Sequence, residues 1–203
     1  MDISFADNSN WRTNVTDVLV DGVTVGAGNW ILTSGNLALD PALVTALQTV
    51  GSKIITVVAT GYENAVVTQN IGVGALSLTH SSWSDDLNSA VDQVSNYTLV
   101  AKDQYGNLIQ NYQFTGKLKV MNASGTTTET YVVNGNSYTA PVVSASTQVV
   151  EINNSDIGLT DATGTVVVPI DFIPGGLYDI GDGAYVEWYD ETGTNLITEV
   201  PAD

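Results

Sequence analysis

Apolar and polar residues alternate with a period of two through most of this chain, in short runs punctuated by Gly, Asn, Asp and Ser. Successive side chains on a strand point to opposite faces, so such alternation predicts strands with one buried face. In the first seventy or so residues the pattern predicts strands at Ile3–Phe5, Val18–Val20 and Val23–Val25. Further strands are expected at Trp30–Leu32, Asn36–Leu39, Lys53–Ala59 and Ala65–Val73. Asp21-Gly22 is a hairpin-type pair, and Ser34-Gly35 separates another two strands. Asp7-Asn8-Ser9-Asn10 offers caps for a helical turn that carries Trp11, with Val15 and Val18 at near-helical spacing. Asp40-Pro41 reads as an N-cap with proline at the first helical position, opening a brief helix through Leu47 that Gly51 ends.

The rhythm breaks near Gly72–Ala75, which predicts a boundary between modules at 1–73 and 76–203. Asp85–Val94 sets Leu87, Val91 and Val94 on one helical face, so a short helix is expected there. Beyond it the strands predicted are Tyr97–Asp103, Gln113–Met121, Glu129–Val133, Gln148–Ile152, Thr165–Ile170 and Tyr185–Tyr189. Gly106-Asn107, Asn134-Gly135 and Asp182-Gly183 supply turns. Short, regularly punctuated strands suit antiparallel sheets. The expected fold class is mainly β: two antiparallel, β-sandwich-like (Ig-like) modules with one or two short helices.

Composition narrows the functional classes. The chain has 203 residues, is 43% hydrophobic and only 13% charged, so it can bury a core and is not of a disordered type. Its net charge is −17, and from residue 120 onward there are twelve Asp or Glu and no Lys or Arg. Phosphate recognition depends on Lys and Arg, so nucleic acid is excluded as a partner. No cysteine is present, which excludes disulfides and thiolate chemistry. No apolar run has the length of roughly 18 residues that a membrane span needs, so no membrane insertion is expected. Asp2 and Asp7 stand where a signal peptide has its basic start and apolar centre, so the chain is expected to be a segment of a longer protein.

Residues 2–73 contain Ile3-Ser4-Phe5, Asp7-Asn8, Trp11, Val18 and Val20-Asp21-Gly22. Leu37-Ala38-Leu39, Gly51, Ile54–Val58 and Ala59-Thr60-Gly61-Tyr62 follow. In order and spacing they resemble the haemoglobin-interacting domain of streptococcal haem receptors, a small module that recurs in Gram-positive surface proteins. The resemblance implies an extracellular, cell-surface or cell-wall location and a host-protein partner of the haemoglobin type. Val100-Ala101-Lys102-Asp103-Gln104-Tyr105-Gly106-Asn107 is similar to an element of bacterial Ig-like modules in surface-layer proteins and adhesins. Surface-layer proteins often require calcium to assemble, which an acidic second half would suit.

Calcium takes several oxygen ligands, so two acidic stretches are the candidate metal sites. One is Asp156 and Asp161, within a run that also holds Glu151, Asn153 and Asn154. The other is Asp179 and Asp182, ahead of Gly183 and Glu187. Neither follows the EF-hand spacing, and the plain alternative for each is a solvated polar loop or turn. His80 is the one histidine and no Gly-x-Ser-x-Gly occurs, so neither a zinc centre nor a serine hydrolase is expected. Tyr62 and His80 are poor candidates for haem ligation. Asp85-Asp86 reads as a helix cap rather than a catalytic pair. Trp83, Trp188, Tyr185 and Tyr189 could stack on a sugar but fit core positions better, and Trp11 likewise.

These readings favour a non-enzymatic structural module of a surface-layer or cell-wall-exposed protein. It would associate with other copies or neighbouring domains of the same protein, with calcium bridging carboxylates. The alternatives are a haemoglobin-type host-protein binding module, or a carbohydrate-binding accessory module of a secreted protein.

Overall fold

The computed structural model describes residues 1–86, 92–122, 129–140, 146–172 and 183–200. The chain forms two compact units, Met1–Val73 and Gly74–Asp203. Among the described residues, the regular structure of both is mostly antiparallel strand.

The first unit runs β1 (Asp2–Ser4), α1 (Ser9–Arg12), β2 (Val15–Val20), β3 (Val23–Val25), β4 (Trp30–Thr33) and β5 (Asn36–Leu39). A single 3₁₀ turn, Thr45–Gln48, leads to β6 (Gly51–Ala59) and β7 (Ala65–Ile71). Its sheets have the orders β1-β5-β4 and β3-β2-β6-β7. Alternation decides the faces: Ile55, Val57 and Ala59 of β6 are buried while Ile54, just before them, is 51% exposed. Val18 and Val20 join Ile55 and Val57 from one sheet, and Ile3, Leu37 and Leu39 come from the other, in one core. The β2–β3 hairpin turns at Asp21 and Gly22, at φ 51° and 80°. Both lie in the left-handed region that the tight hairpin turn requires. Asp21 Oδ1 also accepts from the Ile54 amide at 2.8 Å, tying the turn to β6.

The second unit contains β8 (Ser82–Asp85), β9 (Val94–Val100), β10 (Thr115–Asn122), β11 (Thr130–Val133) and β12 (Asn136–Thr139). β13 (Ser146–Glu151), α2 (Asn154–Ile157), β14 (Thr165–Asp171) and β15 (Gly183–Tyr189) complete it. The sheets are β12-β11-β14-β9-β8 and β13-β10-β15. Tyr97, Leu99, Val168 and Ile170 of the first sheet share a core with Leu118, Val120, Val186 and Trp188 of the second. That shared core is what makes the unit sandwich-like. Gly116 leaves no room for a side chain: a Cβ there would lie 2.6 Å from the Trp188 ring.

Among the described residues of this unit one turn occurs three times. Gly106, Gly164 and Gly193 each donate a backbone N–H at 3.0 Å to the carbonyl of an Asp three residues earlier: Asp103, Asp161 and Asp190. All three glycines have positive φ, at 82°, 66° and 68°. In each the Asp side chain accepts from backbone amides and hydroxyl or amide groups further along the turn. Asp103 takes the Tyr105 and Asn107 amides, the Asn107 side chain and the Gly74 amide, at 2.9–3.0 Å.

Several local expectations change. The helical turn at Trp11 ends at Arg12, and Val15 and Val18 lie in β2, because β-branched residues pair better than they extend a helix. The stretch from Asp40 forms a turn and then one 3₁₀ turn rather than a continuous helix. Asp40 closes the turn, its side chain taking the Ala42 amide at 2.9 Å, while the 3₁₀ turn starts after Val44 with no side-chain cap. The helix expected over 85–94 loses both ends to strands, Asp85 to β8 and Val94 to β9, and its middle (87–91) lies outside the described residues. Asp86 accepts from the Asn96 amide and side chain across the β8–β9 pair. β8 and β12 were not expected, since both are polar four-residue strands.

Candidate functional site

The first unit carries an apolar groove of ≈ 200 Å³ whose walls include Phe5, Trp11, Leu32, Leu37, Val57 and Val66. Its aromatic wall is fixed locally. Asn8 caps α1, its Oδ1 accepting from the Asn10 and Trp11 amides at 3.0 and 3.1 Å. Asp7 then holds the turn from outside, taking Arg12 Nε at 2.9 Å and the Ser34 hydroxyl at 2.8 Å. Hydrogen bonds from Arg12 and then Ser34 keep the Asp7 carboxyl below its ordinary value. The Phe5 amide donates to Gly35 O at 3.0 Å, anchoring the strand end to the β4–β5 hairpin. Phe5 and Trp11 meet edge to face, centroids 5.5 Å apart and planes at 69°.

The opposite wall is β7, the edge of its sheet. It reads Ala-Val-Val-Thr-Gln-Asn-Ile, without a charge, and Val66 is 63% exposed. An uncharged edge strand beside an apolar groove presents free backbone groups and apolar surface together, the pairing that protein docking uses. No titratable side chain lines the groove, so it suits binding rather than acid–base chemistry. Sequence reading placed Trp11 in the core; it is half-buried and shared between core and groove. Val66 was read only as part of a strand, because edge position is set by topology rather than by local pattern.

The acidic candidates fall elsewhere. Asp156 lies buried in α2, accepting from Asn136 Nδ2 at 2.9 Å and from the Tyr138 hydroxyl. Tyr138 Oη in turn accepts from the Asn153 amide at 2.9 Å. Burial, and then the hydrogen bond to Asp156, push the Tyr138 phenol up. Asp161 Oδ1 is engaged within its own turn by the Thr163 amide and hydroxyl, at 2.8 and 2.6 Å, and the Thr165 amide at 3.1 Å. Asp179 and Asp182 lie outside the described residues. Among the described residues no three His, Asp or Glu side chains gather as a metal site. Glu151 pairs with Lys117 at 3.5 Å, and Glu187 with Lys119 at 3.2 Å.

The other single residues take modest places. His80 Nδ1 lies 3.0 Å from the Ser77 hydroxyl within a turn. Tyr62 is 43% exposed after β6. Trp188 is fully buried, Trp83 half-buried and Tyr185 exposed, so only Trp188 of the three is wholly a core residue.

No curated protein and no solved structure matches the chain. Residues 1–72 match the family model described as "Heme-binding protein Shr-like, Hb-interacting domain". The matched span includes every residue that lines the apolar groove.

Proposed function

We propose that the first unit is a protein-binding module of a bacterial surface protein, and that it captures a host protein of the haemoglobin type. The observation that carries this reading is the family match over residues 1–72. The groove between Phe5, Trp11 and Val66, with β7 at its rim, is where such a partner would dock. An apolar, uncharged face suits the dehydrated centre of a protein interface. The reading is non-enzymatic, in keeping with the family's description as an interacting domain. Surface-layer assembly through calcium, expected from the acidic composition, gains no support from the described residues.

Hydrogen–deuterium exchange of the full chain with and without haemoglobin tests this. Protection confined to peptides covering Phe5 to Trp11 and β7 is the expected result. Protection only in the second unit, or none at saturating haemoglobin, would overturn it.

A further inference from the structure

The second unit holds a cavity of ≈ 520 Å³, within the usual size range of small-ligand sites. It lies where residues 196–200 pass between the edges of the two sheets. There the Ile197 amide donates to Trp188 O at 2.8 Å, and the Val200 amide to Trp83 O at 2.7 Å. Trp83 is held by its ring as well, its Nε1–H donating to Ile197 O at 3.1 Å.

The walls combine two kinds of group. Trp83, Tyr97 and Tyr185 supply aromatic surface, and Asp85, Glu187 and Glu199 supply carboxylates. Trp83 and Tyr97 pack with centroids 5.7 Å apart, so they form one aromatic wall. No Lys or Arg lines the cavity. Of the three carboxylates Glu187 is already paired, with the Lys119 ammonium at 3.2 Å, which leaves Asp85 and Glu199 for a ligand. Burial, and then the charge and hydrogen bond of Asp85, push the Tyr97 phenol up, as expected of a wall in a negative field.

Anions are repelled by such a lining. A neutral sugar would use the rings but leave Asp85 and Glu199 without opposite charge. A cation on an alkyl stem uses both, through cation–π contact and ion pairing. We propose that this cavity binds an ammonium group carried on a short apolar stem, the chemistry of a lysine side chain or a choline headgroup.

The test follows the Trp83 indole N–H signal in the ¹⁵N-labelled 203-residue chain. Nα-acetyl-lysine methylamide, choline chloride, the neutral norleucine analogue and N-acetylglucosamine are titrated separately. Saturable shifts with either cation, weaker in high salt and absent with the norleucine analogue, are expected. The tighter of the two cations identifies the source of the ammonium. Asp85→Asn and Glu199→Gln, both isosteric, should each weaken binding by about fivefold, the size of one partly exposed charge pair. No shift with either cation, equal shifts with the norleucine analogue, a preference for N-acetylglucosamine, or unchanged binding in both variants would overturn the proposal.

Discussion

The indole of Trp11 stands edge-on to the ring of Phe5, 5.5 Å between centroids, and together they form one wall of the groove in the first unit. An edge-to-face pair of this kind adds about 0.5–1.5 kcal/mol beyond the area it buries. Trp11→Leu removes it while keeping an apolar side chain. We expect a modest loss in denaturant midpoint together with a larger loss of haemoglobin binding. Equal binding by the variant would assign Trp11 to the core alone.

Gly116→Ala tests the packing of the second unit. The added Cβ would meet Trp188 Cζ3 at 2.6 Å and Ile152 Cδ1 at 3.0 Å, both in the shared core. Overpacking of this sort costs about 1–3 kcal/mol. Urea unfolding followed by tryptophan fluorescence should show the loss, and an unchanged midpoint would mean that the sheets are not packed as described.

Tyr138→Phe removes one hydroxyl that serves two partners, as donor to Asp156 and as acceptor for the Asn153 amide. Asp156 is 8% exposed, so little water can replace the lost bond. A destabilisation of about 1–3 kcal/mol is expected, the usual cost of leaving buried groups unpaired. Asp156→Asn should cost less, because its amide can still accept from one neighbour.

Asp161→Ala separates a turn residue from a calcium ligand. As the acceptor for Thr163 and Thr165 it should lower Tm by the same amount in calcium and in EDTA. A loss seen only in calcium would show that the carboxylate binds the ion.

Acid should loosen the second unit through its turns. Burial works against the Asp190 carboxylate, but hydrogen bonds from Asn195, Thr192 and Thr194 outweigh it and hold its pKa at about 2, below the ordinary 3.8. A depressed folded-state value means that the stabilisation is fully present above 3.8 and is lost as pH falls through about 2. Asp103 and Asp161 are lowered in the same sense, so the turns act together. Thermal melts across that window should show falling Tm in the parent chain and a shallower fall in Asp190→Asn.

The same turns show how far the sequence could be read. Asp103-Gln104-Tyr105-Gly106-Asn107 was legible as a structural element because its turn residues sit together after an alternating strand. Asp161-Ala162-Thr163-Gly164 has the same Asp-x-x-Gly frame, but its neighbours Glu151, Asn153, Asn154 and Asp156 suit a polar loop and a cation site alike, so local sequence does not single out the turn. Strands with strong alternation, such as β6 and β15, were visible locally. β8 was not: Ser-Trp-Ser-Asp has too little apolar pattern, and its pairing with β9 supplies what the sequence lacks. The apolar groove was half legible, as Ile3, Phe5, Trp11, Leu37 and Val57 all fall within segments that carried the family resemblance. Val66 belongs to it only because β7 ends its sheet, a fact of strand order.

The most direct measurement is a titration of immobilised haemoglobin with the full chain and with Val66→Asp, whose side chain is 63% exposed at the groove. An exposed substitution of this kind should change stability by no more than about 0.5 kcal/mol, so folding is not at issue. Saturable binding by the parent chain, lost when a carboxylate is placed in the groove, is the predicted result. No binding by the parent chain, or equal binding by Val66→Asp, would contradict the account.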